Sequence, residues 1–265
     1  MGTFNYIIDR SKYEIGKYLR KEKYTINSDI EDTVAQIKKQ GFALVPDLYN
    51  HQECCDLRHE VDRIIEARAE HKTLWIDPHG ADKRCFAAED DSELIKSFYS
   101  NKYLESVADN VFKAKMSCSN TLAARIEYKE GNVGSGLGWH RDGNHFQFKA
   151  LVYLSDVEAK DGPFQLLVGS HKAKSILDNI NINTHDGVSC RFEGQEVKKL
   201  ISTKTNAIKT FTAKAGTVVF FDASCIHSGG VLTDGGLRYA LTNYYYPSYE
   251  DIASRKSVFK NAHKN

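Results

Sequence analysis

The chain has 265 residues, 41% of them hydrophobic, and sets 36 Lys and Arg against 35 Asp and Glu. That length closes a hydrophobic core unaided, so one domain spanning 1–265 is expected, and the balanced charge without a long run of one sign excludes the footprint of a nucleic-acid or anionic-membrane binder. No run of about 18 apolar residues supplies a membrane span, and the first twenty residues mix apolar and charged positions too evenly for a secretion signal. Tyr6 stands where a myristoylation motif needs Ser or Thr. A cytoplasmic protein with a small-molecule partner is expected, and its six cysteines are read as reduced, structural thiols.

The N-terminal part, about 1–115, reads as helical. Ser28 and Glu31 have the spacing of a capping box, Ile30, Val34 and Ile37 share one helical face, and Gly41 sits where that helix would end. Phe42 to Val45, stopped by Pro46, reads as a first strand. Asn50 and Glu53 repeat the capping signature before a longer helix with Leu57, Val61, Ile64 and Arg68 on one face. Trp75 to Glu89 is polar and irregular, and one further helical stretch spans about Ser92 to Phe112.

From about Thr121 the apolar period changes from 3.6 to 2. The strands expected are Leu122–Tyr128, Lys149–Leu154, Phe164–Val168, Thr210–Lys214, Thr217–Phe221 and Arg238–Tyr246. Gly131 to Gly138 and Gly229 to Gly236 are loops, and the more polar 172–208 reads as an insertion. Helices first and short strands later predict an α+β fold, with a jelly-roll core over about 116–246 flanked by N-terminal helices.

Three features carry chemistry. In His140-Arg141-Asp142, directly after the glycine-rich loop, residues two apart on extended backbone point the same way about 6.5 Å apart, so both side chains can converge on one ion. The β-prone run Gly216 to Asp222 leads to His227, a third ligand at the mouth of a later strand. Eleven positions further, Arg238 opens an alternating strand on which Arg238, Ala240 and Thr242 share a face. Two imidazoles and one carboxylate on one face of an octahedron suit an iron(II) that activates O2. A chelating 2-oxo acid then needs a fixed cation for its far carboxylate, which Arg238 provides as a bidentate fork.

These segments resemble the phytanoyl-CoA dioxygenase-like family of iron(II)- and 2-oxoglutarate-dependent oxygenases. The resemblance rests on Phe42-Ala43-Leu44-Val45-Pro46, Trp139-His140-Arg141-Asp142, Asp161-Gly162-Pro163-Phe164 through Gly169-Ser170-His171, His227 and Arg238, and covers about 40–246. It implies a double-stranded β-helix, iron held by His140, Asp142 and His227, 2-oxoglutarate held by Arg238, and O2 as the second cosubstrate. Asp142 favours hydroxylation over halogenation, since related halogenases leave that position open for halide. The family often carries a hydroxyl two positions after the distal histidine; here that position is Gly229, so the role falls to Thr242. A further contact to the cosubstrate is expected from the strand before the H-x-D, with Arg125 and Tyr128 in range.

His171 is assigned to a structural turn, while His145 and Phe146 either line the pocket or pack beneath it. Lys149 is expected to snorkel towards water rather than stand buried. The segment Asp82-Lys83-Arg84-Cys85-Phe86, the loop 131–138 and the insertion 172–208 are the candidates for the substrate pocket, and none names a ligand. Two other classes fit the same residues: a cupin-like isomerase or lyase that does without 2-oxoglutarate, and a non-catalytic jelly-roll binding protein.

Overall fold

The computed structural model describes residues 2–20, 24, 28–71, 73–143, 146–180, 191–192, 194–203 and 208–260. Helices α1 (Gly2–Arg20), α2 (Glu31–Gln40), α3 (His51–Glu70), α4 (Glu93–Tyr99) and α5 (Lys102–Phe112) precede most of the strands. A seven-stranded antiparallel sheet runs in the order β1 (Phe42–Val45), β8 (Val218–Asp222), β5 (Phe148–Tyr153), β10 (Leu237–Pro247), β4 (Met116–Glu127), β3 (Asp82–Cys85) and β2 (Trp75–Ile76). A second sheet pairs β7 (Ile208–Thr210), β6 (Phe164–Leu167) and β9 (His227–Gly229) in that order. Two further helices, α6 (Ala173–Ile180) and α7 (Gly194–Thr203), fall inside the insertion, and α8 (Ile252–Lys260) follows the last strand. This is the expected mixed architecture with a jelly-roll core.

Strand alternation places the two faces of the large sheet in different surroundings. Ala150, Val152, Val218, Phe220 and Leu241 pack with Leu57, Val61, Ile64, Leu104 and Val107 from the helices. The alternate residues Tyr153, Val219, Phe221 and Ala240 face inwards, where they meet Phe164, Leu166 and Phe211. Burying these interdigitated faces stabilises the fold by roughly 25 cal/mol per Å² of apolar surface, and the cavity of interest lies on the inward side.

Some local signals act as expected. Asn50 accepts from the Glu53 amide while Glu53 accepts from the Asn50 amide, the full capping box, and Gly41 ends α2 in the left-handed region at φ 97°. The Ser28–Glu31 box does not form: Ser28 to Ile30 make a 3₁₀ turn that puts Ile30, without a side-chain cap, at the start of α2. The stretch Ser92–Phe112 breaks in two because Asn101 accepts from the amides of Tyr103 and Leu104 and so starts a new helix. Trp75–Glu89 is not irregular throughout. Its polar Asp82–Cys85 becomes a strand against β4, with Lys83 paired to Glu127 at 2.9 Å and Arg84 to Asp82 at 2.6 Å. β4 starts at Met116, six residues before the expected Leu122, and the strand expected at Thr210–Lys214 is centred earlier, at Ile208–Thr210.

Among the described residues no helix is long and apolar enough to cross a membrane. Cys54, Cys55, Cys85, Cys118 and Cys225 are free thiols; Cys190 and His145 lie outside the described residues.

Candidate metal and cosubstrate site

The segment carrying His140 and Asp142 is held in register by the backbone. His140 N–H donates to the carbonyl of His227 at 2.9 Å and His227 N–H to that of His140 at 2.8 Å, so the H-x-D segment extends the small sheet beyond β9. Arg141 points the other way and donates to the carbonyls of Ser170 and Ser224, tying this segment to the turns on either side. Gly136 is required here, because at φ 78° a Cβ would stand 2.7 Å from His140 Cε1.

One donor atom each from His140, Asp142 and His227 lie within 4.8 Å of one another. Asp142 Oδ1 is 3.5 Å from His140 Nε2 and 3.9 Å from His227 Nε2. Each histidine places Nδ1 2.8 Å from a carbonyl two residues upstream, Gly138 for His140 and Cys225 for His227. Nδ1 therefore carries the proton and Nε2 offers its lone pair to the shared centre. Burial, with the neighbouring His140 and Lys149, pushes the His227 imidazole down to about 3 against the pull of Asp142, which keeps it neutral and metal-ready. Burial opposes charge on Asp142, yet the Lys149 ammonium and the two imidazoles outweigh it and hold the carboxyl well below its usual range.

Lys149 does not snorkel. Its side chain is 7% exposed, and its Nζ pairs with Asp142 Oδ2 and lies 4.3 Å from the Tyr244 ring centroid. Alternation turns Lys149 inwards with Leu151, and at that depth Asp142 supplies the counter-charge that water would otherwise give.

Arg238 is 3% exposed. Its Nη2 donates to Ser135 Oγ at 2.7 Å, and its Nη1 is buried without a hydrogen-bond partner. Between this guanidinium and the triad lies a cavity of about 80 Å³, walled by Leu122, Ala124, Ala240 and Thr242 and reached by His140, His227, Lys149 and Arg238. The inward face expected for Arg238, Ala240 and Thr242 is thus the cavity wall. Arg125 and Tyr128 do not reach it. Arg125 projects from the opposite face of β4 to Asp62 and Glu127 at 3.2 and 3.1 Å, and Tyr128, beyond the strand end, packs with Ala124, Ile126 and Leu232.

A wider pocket of about 560 Å³ opens at His140 and Asp142, bounded by Trp75, Arg84, Phe86, Leu137, Arg191 and Tyr246 among others. All three segments considered for the substrate pocket contribute to it. Phe146 does not: it stacks on Tyr13 of α1 with ring centroids 3.4 Å apart. His171 also lies elsewhere, its Nε2 3.2 Å from the Lys38 carbonyl. Arg84, bidentate to Asp82 and 5.1 Å from the Trp75 ring centroid, borders both cavities. Sequence reasoning named the segments that hold Arg84 and Ser135 but singled out neither residue, since neither a polar run nor a glycine-rich loop shows a period from which a facing direction can be read.

The donor set fits iron(II): two imidazoles that turn Nε2 to a shared centre and one carboxylate on one side, with space opposite. The family model for phytanoyl-CoA dioxygenase (PhyH) matches residues 37–239, a span that contains the triad and Arg238. The chain belongs to the phytanoyl-CoA dioxygenase family. Within that family it is similar to the ectoine dioxygenase of Stutzerimonas stutzeri strain A1501, at 24% identity over 251 residues, covering 86% of this chain and 81% of the relative. Its fold matches the epimerase SnoN from nogalamycin biosynthesis, solved with Fe3+, alpha ketoglutarate and nogalamycin RO, with a TM-score of 0.64, 17% identity and coverage of 83% and 84%. It also matches EctD from S. alaskensis with bound Fe, with a TM-score of 0.64, 16% identity and coverage of 85% and 80%. The protein is a 2-oxoglutarate-dependent dioxygenase of the phytanoyl-CoA dioxygenase family, with iron and 2-oxoglutarate as cofactor and cosubstrate.

Proposed function

We propose that His140, Asp142 and His227 hold the iron, that Arg238 and Thr242 hold 2-oxoglutarate, and that the enzyme hydroxylates an unactivated C–H bond of a small carbohydrate or secondary metabolite. The observation that carries this reading is the narrow cavity between three converging donor atoms and a buried guanidinium with an unpartnered Nη1. A molecule that chelates a metal at one end and carries a carboxylate at the other satisfies both groups. A cupin-like isomerase or lyase that does without 2-oxoglutarate has no use for Arg238 there.

When bound, iron and 2-oxoglutarate supply an oxidant made from O2, with succinate and CO2 released. The chain supplies geometry. The carbonyls of Gly138 and Cys225 fix the ring orientations, Lys149 holds the outer oxygen of Asp142, and the apolar wall of Leu122, Ala124 and Ala240 excludes water around the cosubstrate. The substrate enters the wider pocket, where Trp75, Phe86 and Tyr246 offer faces for an apolar or sugar ring and Gln147 donates to the Tyr246 hydroxyl at 2.7 Å. The names of the related proteins, which concern ectoine and nogalamycin, support a small metabolite rather than a polymer.

The test is incubation with iron(II), 2-oxoglutarate and O2 against a panel of glycosides, amino sugars and cyclic metabolites. A product that gains one oxygen atom, formed with equimolar succinate and lost in Asp142→Ala, is the expected result. Oxygenated product undiminished in Asp142→Ala contradicts the proposal.

A further inference from the structure

We infer that Ser135, from the glycine-rich loop, is a binding residue for the distal carboxylate of the cosubstrate and occupies the place a side chain at position 229 would take. This rests on the assignment of Arg238 to 2-oxoglutarate. Ser135 borders the small cavity together with Gly229 and Arg238. Its Oγ accepts from Arg238 Nη2 at 2.7 Å, and an oxygen that accepts from a guanidinium keeps its own proton to donate. Next to it, Arg238 Nη1 is buried without a partner. Two donors therefore meet at the side of the cavity away from the metal ligands, the pattern that a carboxylate oxygen pair requires.

The loop is built to deliver that hydroxyl. Gly229 N–H donates to the Ser135 carbonyl at 3.1 Å, and a Cβ on Gly134 would stand 2.2 Å from the Gly229 carbonyl, so the loop lies directly on β9. A Cβ on Gly229 would stand 1.8 Å from Ser135 Oγ. A side chain at 229 would therefore take the place the Ser135 hydroxyl now holds. Thr242 is four residues from Arg238 along β10, about 13 Å on extended backbone, and so belongs to the metal-proximal half of the cavity.

The experiment is anaerobic titration calorimetry of the iron(II)-loaded protein with 2-oxoglutarate and, separately, with 2-oxobutyrate, which chelates alike but lacks the distal carboxylate. Ser135→Ala should weaken 2-oxoglutarate about tenfold and leave 2-oxobutyrate unchanged. Equal loss for both ligands would mean that Ser135 only braces the loop, and unchanged 2-oxoglutarate affinity would remove it from the site; either result overturns the inference. Arg238→Ala in the same titration separates the two claims. If it weakens 2-oxoglutarate while Ser135→Ala does not, this inference alone fails. If Arg238→Ala has no effect, the reading of Arg238 fails as well.

Discussion

The two cavities that meet at Arg84, His140 and Tyr244 are built differently. The inner one is a small space of about 80 Å³ between strands, walled by residues that alternate along β4 and β10 and bordered by a buried cation. The outer one, about 560 Å³, is assembled from a short strand pair, a glycine-rich loop and the insertion, with Arg191 donating to the carbonyls of Gly136 and Leu137 at its rim. Paired strands supply most of the first, with the glycine-rich loop adding Ser135 and Gly136, whereas the second adds segments whose conformation rests on individual side-chain contacts. Such a division suits an enzyme class that keeps one cosubstrate and varies its substrate.

Three changes test that division. The largest effect is expected in the inner half: His140→Ala or His227→Ala should abolish stoichiometric iron(II) binding in anaerobic equilibrium dialysis, because two donors and a bidentate cosubstrate do not replace a lost facial ligand. Iron affinity equal to wild type in either variant removes that residue from the site.

The next concerns the Lys149–Asp142 pair. Lys149→Met leaves the solvent-accessible Asp142 carboxylate without its ammonium partner, and urea denaturation of the metal-free protein at pH 7 should show a loss of about 1 kcal/mol. The folded Asp142 carboxyl is held below its usual range. Its contribution to stability is therefore fully present above the unfolded carboxylate value of about 4 and is lost as the pH falls further towards the folded value. Unchanged stability at pH 7 would mean that the pair contributes nothing to the fold.

The smallest effect on the cofactors belongs to the outer half. Trp75→Ala removes a face of the wide pocket and the cation–π partner of Arg84, and should leave iron and 2-oxoglutarate affinities within about twofold while changing which compounds in the panel are oxidised. A tenfold loss of 2-oxoglutarate affinity would show that the two cavities are not independent.

The same division explains what was legible in the sequence. The triad and Arg238 were readable because extended backbone has a period of two: His140 and Asp142 must share a side, as must Arg238, Ala240 and Thr242. Period alone did not say how deep a face lies, so Lys149 was expected in water although Asp142 holds it inside. Asp82–Cys85 looked like a loop because its charged side chains, Lys83 paired to Glu127 of β4 and Arg84 to Asp82 of its own strand, show no apolar period. Ser135 was invisible for a third reason: its role depends on a missing side chain at Gly229, ninety-four residues away in sequence. Contacts made by absence leave no motif.

The central claim is that a chelating dicarboxylate lies between the triad and Arg238, and its most direct test is anaerobic titration of the iron(II)-loaded protein with 2-oxoglutarate, following the weak visible charge-transfer band of bidentate keto-acid coordination. Wild type should develop the band at stoichiometric ligand. Arg238→Ala should bind iron normally yet need on the order of a hundredfold more ligand, the cost of a charge-assisted bidentate contact in a desolvated site. Arg238→Lys should recover only part of the loss, because a point charge replaces a planar fork. Superimposable titrations of wild type and Arg238→Ala would contradict the account.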